Sequence, residues 1–191
     1  MKTVAVIEGF SGGPMLTKVF RRALKKAGFE ITKKCRTADI IVAHSAGIYA
    51  IPSGSKASLL VLINPTYWPG RRLITRVGNF AIIGPRFYVK NFGWRFYIKK
   101  RLLEAYYFIT RSKYMWLGTF HNNRLGHIEE LAEAKDRRII IIRNHNDSFT
   151  TPQITGAVSH LSNVIVKTLP GIHDDFYVNP EPYIKIIKET T

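Results

Sequence analysis

A chain of 191 residues that is 46% hydrophobic can bury a sizeable core, which excludes a disordered or coiled-coil protein and makes one domain over 1–191 the expectation. Its single cysteine, Cys35, excludes an internal disulfide and a cysteine-based zinc cluster, and it is expected to be a plain small residue near the start of a connection. A net charge of +16 and a pI of about 10.1 point to a polyanionic surface or partner.

Taken in chain order, Thr3–Ile7 reads as a buried strand, β-branched and bounded by Gly9. It stops at Glu8, short of the roughly 7–15 apolar residues of a secretory segment, so a cytoplasmic location is expected. Pro14 suits a helix start, because its missing N–H would be unpaired there anyway. Leu16, Val19, Phe20, Ala23, Leu24 and Ala27 then recur at helical spacing up to Gly28. Asp39–Ala43 and Leu59–Ile63 are the second and third strand candidates.

The stretch that follows, about 66–120, is basic and aromatic. Between Arg71 and Lys113 eleven cations face Glu104 alone, a net +10 of the total. From Phe92 to Trp116 nine aromatic residues interleave with those cations. No apolar run there or elsewhere approaches the ~18 residues of a spanning helix. A helix from about Asn123 to Lys135 comes next, then strands at Arg138–Ile142 and Asn163–Lys167 and a helix from about Glu181 to the end. Continuous apolar strands alternating with helices predict an α/β fold, a three-layer sandwich on a mostly parallel central sheet of about five to six strands. Ligands of such sheets bind beyond the carboxyl ends of the strands. Gly9–Gly13, Ser45, Asp147 and His173 each follow one of the strands and are expected to meet at that edge.

The residue types at that edge define a chemistry. A serine hydroxyl is a weak nucleophile until a neighbouring base takes its proton. A sharp strand-to-helix turn exposes the oxygen, and the turn needs small neighbours because strand and helix approach closely. Ala43-His44-Ser45-Ala46-Gly47 matches Gly-x-Ser-x-Gly with alanine at the first small position. Asp147 and His173 follow in the order serine, acid, base. Ser45 is thus the expected nucleophile, His173 the base and Asp147 the residue that orients the imidazole. The Ala46 N–H is one oxyanion donor by position, and Phe10, in the loop after the first strand, is the expected second. Ser11, His44, Tyr67, Trp68 and Phe149 are the candidate pocket residues.

On these pieces (the Gly9-Phe10 loop, the His44-Ser45-Ala46-Gly47 turn, the Asp147…Pro152 loop and the Gly171…His173…Phe176 loop) the chain resembles the compact α/β-hydrolase serine hydrolases that begin at the strand carrying the oxyanion loop. Glu8 departs from the histidine many members have before the glycine, and Ala43 from the first elbow glycine. Some members carry the acid after the strand that follows the nucleophile, but here that strand runs into Asn64. The resemblance implies a carboxylesterase- or lipase-like hydrolase forming an acyl-enzyme, with no cofactor and no metal. The basic segment stands where such proteins insert a cap, so it is expected to be a helical cap over Ser45 with a cationic exterior, the plainer alternative being a core-packing helix with a solvated basic face.

Other readings of the same residues differ in chemistry. The loop after the first strand is neither Gly-x-Gly-x-x-Gly nor a Walker sequence, which argues against a nucleotide site. His121, His127, Asp174 and Asp175 lack metal-ligand spacing and are expected to be solvated. The expected substrate is a small acyl ester or thioester with a hydrophobic acyl group. The charge is compatible with an anionic membrane surface, held peripherally, or with an acidic carrier protein. Nucleic acid ranks lower, because no recognisable module accompanies the charge. A non-catalytic binding module on the same fold is the alternative, and the oligomeric state is left open.

Overall fold

Apolar runs too short for helices and free of turn residues form the middle of the molecule. They are β1 (Thr3–Ile7), β3 (Ile40–His44), β4 (Leu59–Ile63), β5 (Arg138–Asn144) and β6 (Val164–Leu169), joined at one edge by the three-residue β2 (Glu30–Thr32). The computed structural model describes residues 1–9, 13–66, 73–110, 126–134, 136–147 and 150–191. The six strands form one sheet in the order β2-β1-β3-β4-β5-β6, and every pairing is parallel. Register is carried through the centre by Val4↔Ile40, Ile40↔Leu59 and Leu59↔Arg138. Every residue of β3 and β4 is buried, as two covered faces require.

The covering helices make the outer layers. α1 (Lys18–Lys26) turns Phe20, Ala23 and Leu24 inward at the spacing that keeps one helical face on the core. It packs with α5 (Glu181–Thr190) on one face, where Phe20, Phe176 and Tyr183 are fully buried. Ile128 and Leu131 of α3 (Gly126–Ala132) and Ile154 of α4 (Ile154–Ala157) cover the other face. Between β4 and β5 runs α2 (Leu73–Thr110), which contains Pro85 and breaks at Gly93 (φ 79°) into two limbs.

Two local readings change. Pro14 opens a turn rather than the helix: Leu16 and Thr17 both donate to the Gly13 carbonyl, at 2.9 and 3.2 Å, and α1 starts at Lys18. β2 is a strand that periodicity does not announce, since three partly exposed residues carry too little pattern. Of the helix expected near 123–135, Gly126–Ala132 is helical, and 123–125 and 135 lie outside the described residues. Cys35 is half-buried on a connection, where burial pushes its thiol up.

Candidate active site

The parallel direction of the strands brings the loops after β1, β3, β5 and β6 to one edge, and Ser45, Asp147 and His173 all lie there. Ser45 begins a short 3₁₀ turn, Ser45–Ala50, directly after β3. Its φ is +53°, left-handed for a residue with a side chain, and such strain persists only where the surroundings over-determine it. The surroundings here are two glycines. A Cβ on Gly9 would fall 2.7 Å from the His44 carbonyl oxygen and 2.7 Å from the Ser45 Cβ. One on Gly47 would fall 2.8 Å from the Glu8 carbonyl oxygen and 2.9 Å from that of Ile7. The end of β1 and the serine turn therefore interlock, and any side chain at either glycine would push them apart. Ala46, the expected oxyanion donor, is the next residue of that turn.

Asp147 and His173 are brought together. The His173 Nδ1 donates to Asp147 Oδ2 at 3.0 Å, and the Asp147 carboxylate is buried. The sheet's own ladder holds this pair, continuing past the strand ends. The His145 N–H donates to Leu169 O at 2.8 Å and the Asn146 N–H to Gly171 O at 3.1 Å. Burial works against protonation of His173, but the Asp147 charge and hydrogen bond outweigh it and raise the imidazole above its ordinary pKa. Asp174 adds to the rise and Lys100 opposes it.

His44 is enclosed rather than open. Its ring centroid lies 4.7 Å from that of His173, 4.6 Å from Phe176 and 5.5 Å from Tyr177. Its Nε2 lies 3.1 Å from the His173 carbonyl oxygen, and its Nδ1 3.4 Å from the Tyr177 hydroxyl. The carbonyl can only accept, so Nε2 carries the proton and Nδ1 accepts from Tyr177. Burial, then the neighbouring His173, lowers the His44 pKa to about 3, so the ring stays neutral. Glu8 is tied to α1: Arg21 Nη2 donates to its Oε1 at 2.6 Å and the Thr17 hydroxyl at 3.0 Å.

Three polar residues at this edge have roles that no motif announced. Asn64, left-handed at φ +46°, ends β4. Its Nδ2 donates to the His173 carbonyl at 2.6 Å, and its Oδ1 accepts from the Asn144 N–H at 2.8 Å. One amide thus fixes the loop after β6 to the ends of β4 and β5. The signal was a polar, turn-prone residue directly after a fully buried strand.

Asp174 is a correction. Expected in solvent, it is 5% exposed. Lys100 lies 3.1 Å from its Oδ2, the Tyr88 hydroxyl donates to the same oxygen, and His44 Nε2 is 3.6 Å from Oδ1. Burial raises the Asp174 carboxyl, but Lys100, His173 and His44 together hold it well below the carboxylate range. Lys100, equally buried, also pairs with Glu104, whose other oxygen accepts from Arg101 at 2.8 Å. Tyr88 comes from the first limb of α2 and Lys100 from the second, its ammonium 4.5 Å from the Tyr88 ring centroid. Both limbs therefore meet at the residue after His173. The basic exterior expected of this segment is to that extent turned inward. Nor is His127 solvated: it is half-buried, its Nε2 2.8 Å from the Ile48 carbonyl oxygen, while Asp175 is half-buried beside α5. Phe10, Ser11, Tyr67, Trp68, His121 and Phe149 lie outside the described residues.

His44, His173 and Asp174 offer ligand atoms within 4.8 Å of one another. A cation there would compete with the Lys100 ammonium for Asp174 and with the hydrogen bond His44 already makes. The donor set is that of a neutralised ionic cluster rather than a metal centre.

No model of a known protein family matches the chain, and no curated protein is similar to it in sequence. Solved structures resemble it in fold. An esterase from a Rhodococcus species superposes with a TM-score of 0.67 at 12% identity, covering 99% of this chain and 90% of that one. A thioesterase domain from the curacin biosynthetic pathway gives 0.62 at 13% identity, with 97% and 90% covered. An α/β-hydrolase enzyme from a lagoon-sediment metagenome of Mar Chica, Morocco, gives 0.57 at 10% identity, with 98% and 89% covered. With its six parallel strands, covered faces and serine turn after β3, the chain has the α/β-hydrolase fold.

Proposed function

We propose that the protein is a serine hydrolase of carboxylic esters or thioesters with a hydrophobic acyl group, acting through Ser45, His173 and Asp147. The observation that carries the reading is the left-handed backbone of Ser45 at the end of β3, wedged by Gly9 and Gly47. That conformation costs of order 1–3 kcal/mol, and in this fold it serves to lift a hydroxyl out of the chain's path. The His173–Asp147 pair at the same edge supplies the base that such a hydroxyl needs. An esterase and a thioesterase are among the proteins of similar fold, which fits the same chemistry.

In this reading the Ser45 Oγ attacks the acyl carbonyl while its proton passes to His173 Nε2. Asp147 holds the ring through Nδ1 and stabilises the imidazolium. The oxyanion accepts from the Ala46 N–H and, we propose, the Phe10 N–H. His173 returns the proton to the leaving alcohol or thiol. Water, deprotonated by the same ring, then cleaves the acyl-enzyme and frees Ser45. α2 forms the proposed cap, its inner side anchored through Asp174 to the loop that carries the base.

Fluorophosphonate labelling tests this. Wild type is expected to label at Ser45 and to release a burst of chromogenic alcohol from short acyl esters. Ser45→Ala should abolish labelling and reduce turnover by up to about a million-fold. Folded wild type that takes up no label would overturn the assignment and leave the fold as a binding module.

A further inference from the structure

The second limb of α2, beyond Gly93, packs Leu103 on the core but departs in two ways from an ordinary surface helix. Its charged Lys100 and Glu104 are buried against the base loop. Its outer side carries Trp94 (63% exposed), Ile98 (53%), Leu102 (67%), Tyr106 (58%) and Ile109 (77%). Steps of four, four, four and three residues hold these five on one stripe, about 22 Å long at helical rise. Large apolar side chains exposed singly are ordinary, but a continuous stripe of them marks a contact surface.

The charge along the stripe is of one sign. Arg95 and Lys99 are exposed beside it and Arg101 is half-exposed. The limb's single acid, Glu104, points inward to Lys100 and Arg101. A second copy of the chain would set these cations against their equivalents, within a segment that already holds most of the net positive charge. The face is the convex side of one helix, and a bilayer accommodates that shape without a matching groove. Interfacial helices combine Trp and aliphatic residues on one side with Lys and Arg beside them, and aromatic rings such as Trp94 and Tyr106 settle at headgroup depth. No helix among the described residues is long and apolar enough to cross a membrane.

We propose that the outer face of α2 from Trp94 to Ile109 is a docking surface for a bilayer that contains anionic lipid. The helix lies on such a bilayer with its apolar stripe among the upper acyl chains and its cations among the headgroups. Its inner face stays on Asp174, next to His173, so a docked molecule holds the proposed catalytic edge beside the membrane. Docking does not depend on the hydrolase reading, because it needs no turnover.

Sedimentation of the full chain with vesicles of phosphatidylcholine, alone or mixed equally with phosphatidylglycerol, tests the proposal. Binding to the mixed vesicles should exceed that to phosphatidylcholine alone by about tenfold or more and weaken as salt rises to about 0.5 M. The double variant Ile98→Asp/Leu102→Asp should lose at least about tenfold in vesicle partitioning while keeping the wild-type circular dichroism spectrum and melting profile. Should that variant fail to fold, emission from Trp94, with Trp68 and Trp116 replaced by Phe, gives the second reading: a blue shift on anionic vesicles is expected. Three results would overturn the proposal: no preference for anionic vesicles, unchanged binding by the folded aspartate variant, or no shift of Trp94 emission. So would an RNA oligomer that displaces the vesicles and binds the aspartate variant as tightly as wild type, which would reassign the surface to nucleic acid. Fluorophosphonate labelling of the same samples reports on Ser45 separately.

Discussion

The sheet and α2 obey opposite rules within one chain. In β3 and β4 every side chain is buried and almost all are aliphatic, and the polar residues begin at the strand ends, at His44 and Asn64. In the second limb of α2 two ions, Lys100 and Glu104, are inside, while five large apolar groups from Trp94 to Ile109 are outside. The sheet is stabilised chiefly by removing apolar area from water, worth roughly 25 cal/mol per Å². The inner side of α2 is held by Lys100, which sits between two carboxylates from different parts of the fold. A cluster of that kind adds little net stability when complete, but it is costly to leave incomplete. Its position says more than its energy does, since it fixes both limbs of α2 to the loop bearing His173.

That contrast can be broken most forcefully at its ionic end. Lys100→Met should destabilise the protein by about 3 kcal/mol or more, because it leaves Asp174 without its cation in a buried site. For a chain of this size the melting temperature should fall by about 6–12 °C. Adding Glu104→Gln and Asp174→Asn to the same chain should recover most of that loss, as the uncompensated charges disappear with the cation. Melting curves for the two variants decide it. A Lys100→Met protein as stable as wild type would mean that α2 is not anchored through this cluster.

A second, smaller effect separates the site from both regions. Unfolded, the His44 imidazole takes a proton near pH 6.5, whereas in the folded protein it resists protonation down to about pH 3. Between those values the unfolded state binds the extra proton, so stability declines on acidification from about pH 6.5, by up to about 1.4 kcal/mol per pH unit. Asp174, depressed in the fold, loses its contribution only below its ordinary pKa, further into acid. His173 runs the other way: raised in the fold, its contribution is complete below about pH 6.5 and is lost as pH rises through the folded value. His44→Asn should therefore flatten the decline between pH 6.5 and 5 in melting experiments. Equal slopes for the two proteins would show that His44 is not the group responsible.

The smallest expected change lies on the outer stripe. Leu102→Gln changes a side chain that is 67% exposed, so stability should stay within about 0.5 kcal/mol of wild type. A larger loss in chemical denaturation would mean that Leu102 supports the folded state directly and that the stripe is not a free outer surface.

Much of the edge that holds the candidate site was legible beforehand. Strands such as Leu59–Ile63 appear as uninterrupted apolar runs, and a parallel sheet sends the residues after them to one end. By that rule alone Ser45, Asp147 and His173 fall at a common edge. Asp174 defeated the same reasoning: an acid in a polar loop reads as solvated, and its partners Lys100 and Tyr88 stand more than seventy residues away. Lys100 read as part of a cationic exterior for the same reason. In sequence Asn64 is only a position lacking an acid, though its amide positions the His173 backbone. Short β2 carried no periodicity to read.

By itself the sequence determined the α/β alternation, the covered parallel sheet and the chain order of serine, acid and histidine, because burial on both strand faces leaves a local imprint in residue type. The tertiary structure alone decided which charges are buried, which apolar residues of α2 face outward, and how tightly Gly9 and Gly47 hold the Ser45 turn. Those outcomes depend on what stands opposite each side chain across the fold, and helical or strand periodicity carries no record of that partner.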